Sequence, residues 1–223
     1  GKIFSSSENR RAALYALDSH FSTLDDWEYD PQIFLPLQAG RVDEGEITSL
    51  IGKGKSFLKK LVEESKVNPV RILAVGGAKT IRNVETSLKK FGVNFLETKI
   101  VKFPEYLEEY YNRHNYDILL GGASVHHGDP DGIYHVLGKK GSITSPMLAR
   151  NKVMPLLEKG RTILKHEDLH DHYKLVNKAV IEDVPFFHAG FRSTKIVYSK
   201  RRIKKRSDMK NRTDFRFSTF LPR

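Results

Sequence analysis

Between residues 70 and 120 the chain alternates two hydrophobic periods, and that alternation narrows the possible folds more than any other feature. Val70 to Val75 reads VRILAV, a short β-rich run. TIRNVETSLKKFG follows, with Ile81, Val84, Leu88 and Phe91 at helical spacing and Gly92 as a stop. VNFLETKIV predicts a second strand, and PEYLEEYYNRH a helix opened by Pro104 in its first turn. YDILLGG predicts a third strand from Tyr116 to about Leu120. Strands that alternate with helices have crossover connections, so the order β-α-β-α-β predicts an α/β fold with at least one parallel pair.

The flanks are mostly helical. SENRRAALYALDSHF predicts a helix capped by Ser7, with Ala13, Leu14 and Leu17 as its apolar stripe. STLDDWEYDPQIFLPLQAGRVDEGE is long, acidic and proline-bearing, and predicts an irregular surface excursion. Its carboxylates lack the spacing and central glycine of a calcium loop. The next stretch is expected to become helical near Ser56. NKVMPLLEKGRTI predicts a helix that Pro155 kinks unless it lies in the first turn. HEDLHDHYKLVNKAVIEDVP predicts an amphipathic helix with Leu169, Tyr173, Val176 and Val180 on one face. A further strand is expected at Lys195 to Tyr198.

At 39% hydrophobic residues the chain can bury a core, and no run approaches the ~20 apolar residues of a membrane span. The start, GKIFSSSENRR, lacks the order of a secretory signal, so the protein is either cytoplasmic or has lost its leader. With no cysteine, disulfides, thiolate metal sites and cysteine nucleophiles are excluded. The net charge is +11, of which residues 200 to 216, KRRIKKRSDMKNRTDFR, carry +7. Such a block is either a solvated connecting tail or a surface for an anionic partner. No aromatic residue interleaves it before Phe215, which argues against a stacking platform for single strands.

Several motifs invite chemistry. GKGKS at 52 to 56 suggests a phosphate loop, but the required earlier glycine is Ser49 and no strand precedes it. His166 and His170 are four apart at a helix start, without the carboxylate motif that accompanies helical zinc ligands. No G-x-S-x-G elbow is present. GGASVHHGDPDG, residues 121 to 132, stands out by position, because ligands bind at the C-terminal ends of strands in α/β sheets. Gly121 and Gly122 permit close approach, and GDPDG makes a turn held by Pro130. The stretch reads equally as a ligand-binding loop and as an ordinary strand-to-helix connection.

In this order the segments resemble the C-terminal lobe of the extracytoplasmic solute-binding proteins of peptide and nickel ABC importers, solute-binding family 5. NRRAALYALD resembles that family's VRQALAYAID helix, matching at Arg11, Ala13, Leu14, Ala16 and Asp18. LKKFGVNF, FPEYLEEYYNRHNYDILLGG, GDPDGIY and HDHYKLVNKAVIEDVPFF resemble its later segments, so the likeness runs through nearly the whole chain.

The resemblance implies one lobe of a periplasmic-binding-protein-like (type II) fold, a mixed sheet flanked by helices. It implies a lobe over residues 1 to 198 and a basic return segment over 199 to 223 toward a missing N-terminal lobe. The implied function is extracytoplasmic capture of a small solute or peptide for an ABC permease, without catalysis, cofactor, metal or nucleic acid. The implied ligand residues are Gly122, Ala123, Ser124, Val125, His126 and His127. Ala123 stands where peptide-binding relatives hold a ligand-packing tryptophan. His126 stands where they hold the aspartate that pairs with the peptide's amino group. Such a histidine suits an anion, a neutral group or a metal complex better than an ammonium. Two rivals are a ligand-sensing domain of a transcription regulator and a metal-dependent hydrolase using His126, His127 and Asp129.

Overall fold

The computed structural model describes residues 3–25, 27–34, 38–113, 115–122, 130–138, 152–190, 203–205 and 220–222. The chain divides into two compact units, Gly1–Gly190 and Phe191–Arg223. In the second, β4 (Ile203–Lys205) and β5 (Phe220–Pro222) pair antiparallel, with Lys204 opposite Leu221. The rest of the fold belongs to the first unit.

The alternation between residues 70 and 120 folds as its periods dictate. β1 (Val70–Ala74), α4 (Ala78–Lys90), β2 (Leu96–Ile100), α5 (Phe103–Glu108) and β3 (Ile118–Leu120) follow in turn. The sheet order is β2-β1-β3, and both pairings are parallel. Ala74 lies opposite both Ile100 and Leu120, so all three strands end on one edge. The central strand is buried from both sides: Ile72 joins a core with Val84 and Leu88 of α4, while Leu73 points to the other face. That second face belongs to α5, because Lys99, opposite Leu73, bonds Glu105 of α5 at 2.6 Å. Gly92, at φ +92°, ends the turn after α4 in the left-handed region, as the helix stop requires. Among the described residues this sheet is small and parallel, and with its flanking helices it fits the expected lobe of a periplasmic-binding-protein-like fold. The predicted strand at Lys195 to Tyr198 lies outside the described residues.

α1 (Ser7–Phe21) is the hub on the α4 side. Its cap is Ser6, in extended backbone, and Ser7 is already the first helical residue. Ala12 and Ala16 are fully buried, and these small side chains let neighbouring segments approach. Gly54 uses that freedom: a Cβ there would overlap the Arg11 carbonyl oxygen. The glycine of GKGKS therefore serves close packing, within a 3₁₀ stretch (Lys53–Phe57) that joins α2 (Glu44–Gly52) to α3 (Leu58–Ser65). Helix begins at Glu44, well before the expected Ser56, because Asp43 Oδ1 accepts from the amides of Gly45 and Glu46.

The predicted excursion after α1 is irregular but not superficial. Ile33 and Phe34 are buried against Tyr173, Val176 and Val180 of α8 (His166–Asp183), and α7 (Val153–Gly160) completes this second core. Pro155 falls in the first turn of α7, where a missing amide costs no helical bond. Polar groups fix the strap's path. Gln32 Nε2 donates to the Val42 carbonyl at 3.1 Å, and the Val42 amide donates back to Gln32 Oε1 at 2.8 Å. Asn177 of α8 donates to Gln32 Oε1 at 2.8 Å and to the Gly40 carbonyl at 3.1 Å. The segment after α8 clasps the strap from outside. Trp27 Nε1 donates to the Ala189 carbonyl at 2.7 Å, and His188 Nδ1 donates to the Asp30 carbonyl at 2.6 Å.

Candidate functional site

The connections at the ends of β1 and β2 diverge. β1 leads into α4 on one face, and β2 leads into α5 on the other. In the order β2-β1-β3 the strand order reverses between β1 and β3, and ligands of open α/β sheets settle outside the C-terminal ends of the strands at such a switch point.

The residues at this edge are suited to contact. Gly76 and Gly77 follow β1 at φ +63° and +72°. No atom lies within 4 Å of where a Cβ at Gly76 would stand, so the peptide is open to approach. Gly77 is the N-cap of α4, with no side chain to cap the helix. Beside these turns Val75, Ile100 and Phe103 remain 41%, 56% and 59% exposed. At the end of β3, a Cβ on Gly121 would meet the Tyr106 hydroxyl at 2.9 Å, so the glycine makes room for the tyrosine. Tyr106 stacks on Tyr110, with ring centroids 6.3 Å apart and planes 12° apart. Burial raises the pKa of both hydroxyls above the ordinary tyrosine value, because it disfavours the charged phenolate.

Of the ligand residues implied by the resemblance, Gly122 is exposed at the end of β3 with open space around it. Ala123, Ser124, Val125, His126 and His127 lie outside the described residues, as does Asp129. The turn after them appears as a 3₁₀ stretch, Pro130–Ile133, leading into α6 (Tyr134–Leu137). Sequence reasoning passed over Val75, Gly76, Gly77, Ile100 and Phe103. The rule that singled out Gly121-Gly122, a glycine pair after a strand, applies equally to Gly76-Gly77.

Two other features were candidates for chemistry. Among the described residues no group of three or more His, Asp or Glu side chains could hold a metal ion. His172, from the histidine-rich start of α8, is buried and donates from Nε2 to the Leu156 carbonyl at 2.7 Å, a packing role against α7. An open depression of about 340 Å³ is lined by Arg71, Glu97, Thr98, Lys99, Asn115 and Tyr116. Its charges are already engaged: Arg71 reaches Glu97 at 3.5 Å, and Lys99 is held by Glu105. That bond also raises the Lys99 ammonium above its ordinary value. The C-terminal edge of the sheet is therefore the better candidate. Among the described residues no helix is long and apolar enough to cross a membrane.

No protein-family model matches the sequence, and no curated protein matches it. Solved structures do share its fold. The periplasmic murein tripeptide-binding protein MppA, in its unliganded open form, aligns over 82% of this chain and 38% of its own at TM-score 0.65 and 15% identity. DppA from Helicobacter pylori, an ABC transporter-associated periplasmic binding protein in complex with the peptide STSA, aligns over 83% and 38% at TM-score 0.62 and 17% identity. AgaA from A. tumefaciens, in complex with agropinic acid, aligns over 84% and 41% at TM-score 0.62 and 20% identity. The chain thus spans about two fifths of the length of these structures. At such identities the likeness establishes the fold, which is that of one lobe of a periplasmic binding protein.

Proposed function

We propose that this chain is a ligand-binding lobe of an extracytoplasmic solute-binding protein serving an ABC importer. It captures a small solute of the peptide class without turning it over. One observation carries the reading: the switch point of a parallel sheet is left open, with glycine turns Gly76-Gly77 and Gly121-Gly122 on its edge. Backbone amides at such turns bind ligand carbonyls and carboxylates without a side chain in the way. In this reading residues 1 to 198 form the lobe, and 199 to 223 return toward a second lobe that closes over the ligand and helps to address the permease. Gly122 to His127 supply the β3 side of the cleft. The fold shared with a murein tripeptide-binding protein and with a periplasmic binding protein in complex with a peptide supports the peptide class.

The test is a titration of the isotope-labelled 223-residue chain with a mixture of di- to pentapeptides. Amide resonances of Gly76, Gly77, Gly121 and Gly122 are expected to shift saturably, with every peptide recovered intact. Peptide turnover, or no saturable shift up to millimolar concentration, overturns the proposal.

A further inference from the structure

The two edges of the sheet are not equivalent. The three residues of β3 are all half-buried, whereas Glu97, Thr98, Lys99 and Ile100 of β2 are all exposed. Among the described residues no strand pairs with the outer edge of β2. The ladder to β1 fixes what that edge offers. The Val70 amide donates to the Phe95 carbonyl at 2.9 Å, and the Val101 amide donates to the Ala74 carbonyl at 3.0 Å. Inward bonding falls on every second residue of a strand, so Phe95, Glu97, Lys99 and Val101 turn their backbone groups to β1. Leu96, Thr98 and Ile100 therefore direct their N–H and C=O groups outward. An open row of this kind is a template for another strand.

We infer that β2 pairs antiparallel with β2 of a second copy of the chain, about a two-fold axis at Thr98. This interaction is separate from the ligand capture proposed above. The axis puts Thr98 opposite Thr98 and Leu96 opposite Ile100, each pair exchanging two backbone hydrogen bonds. It also puts Glu97 opposite Lys99 of the second copy, and by symmetry Lys99 opposite Glu97. These are non-hydrogen-bonded pairs, in which facing side chains come closest, so the opposite charges attract. Edge strands commonly carry lysine to repel other strands. Here Glu97, two residues before Lys99 and on the same face, turns that charge into a match. Other arrangements lack it. Parallel pairing in register sets Lys99 on Lys99 and Glu97 on Glu97. An antiparallel axis at Leu96 sets the two charges on Phe95 and Val93, and one at Ile100 sets them on Val101 and Phe103.

The present partners leave both charges able to join. Glu97 meets Arg71 at 3.5 Å and Lys99 meets Glu105 at 2.6 Å, in pairs about half exposed on each side. An ammonium has three donors and a carboxylate two oxygens, so each can keep its partner and take a second. On the other face Ile100, 56% exposed, gains Leu96 of the second copy. One like charge opposes the pairing. Glu85 of α4 accepts from the Thr98 hydroxyl at 2.5 Å, so a carboxylate of each copy stands near the axis. The association is therefore expected to be weak, with a dissociation constant of about 100 μM.

Sedimentation velocity of the 223-residue chain, from micromolar to millimolar concentration, is expected to show a reversible monomer–dimer equilibrium. Glu97→Lys and Lys99→Glu, each alone, set like charges face to face and are expected to weaken it at least about tenfold. Mixed in equal amounts, the two variants face each other with opposite charges, and association is expected to return, which a folding defect would not produce. Thr98→Pro removes an outward amide that the sheet does not use, and it is expected to abolish the dimer with the fold kept. A chain that stays monomeric at millimolar concentration overturns the inference. So does a dimer that either charge variant or Thr98→Pro leaves intact, or a mixture of the charge variants that does not reassociate.

Discussion

The β1 to β3 region and the strap, described at residues 22–25, 27–34 and 38–43, both contribute buried side chains, but different forces hold them. In the sheet region burial is periodic. Val70, Ile72 and Leu73 are fully buried in the central strand, whose ladders run to β2 on one side and β3 on the other, and Arg71 alone of its residues is exposed. The strap has no repeating ladder. Its path is set by single polar contacts: the Gln32–Val42 pair, Asn177, the 2.6 Å Arg41–Asp30 ion pair and the His188 bond to Asp30. Regular structure spreads its stability over many equivalent bonds, whereas an irregular segment concentrates it in a few.

That contrast can be broken from either side. Ile72→Ala empties a fully buried position at the centre of the sheet, and the expected loss is about 3–4 kcal/mol. Denaturant unfolding and hydrogen exchange should show this loss across the whole of residues 3–190. Gln32→Leu keeps the volume but strands the Val42 amide and carbonyl and one Asn177 donor, for an expected loss of about 2–3 kcal/mol. Here exchange should rise first at residues 27 to 43, with the sheet still protected. Equal loss of protection in both regions would show that strap and sheet unfold as one unit.

The smallest effect is a pH dependence at His188. Burial lowers its affinity for a proton, with nearby Arg41 adding to this, while the Asp30 and Gln32 backbone and the Asp30 charge oppose it. Its folded pKa lies below the ordinary 6.5, so the unfolded chain takes up the proton first as pH falls. The stabilisation is therefore complete above about pH 6.5 and is lost as pH drops through the lower folded value. Thermal melts between pH 7.5 and 5 should show this decline, and His188→Asn, which keeps an N–H donor near Nδ1, should flatten it. A wild-type curve identical to that of the variant would remove His188 from the account.

Much of the sheet region was legible because its signals are local. The spacing of Ile81, Val84 and Leu88 marks a helix face, Gly92 a stop, and Pro104 a first turn, each within one element. The strap was read as surface because its acidic residues and prolines are what a solvated loop also carries. Its burial follows from Gln32 and Asn177, which are 145 residues apart and meet only in the folded chain. The α2 start at Asp43 was locally available, since an Asp-x-x-Glu entry precedes Ile47, but the glycines of GKGKS drew attention further along. Half of the candidate site was visible for the same reason as the sheet: Gly121-Gly122 follows an apolar run. Ile100 and Phe103 became candidates only through exposure, which depends on which strand lies at the edge and where the next helix crosses.

By itself, then, the amino-acid sequence determined the strands, the helices and their alternation, because periodicity and turn chemistry act over a few residues. It also excluded disulfide and thiolate chemistry, because the residues are absent. Only the tertiary structure decided the strand order β2-β1-β3, the divergence of α4 and α5, and the burial of the strap. These depend on which distant surfaces exclude water together, and no short window of sequence encodes that.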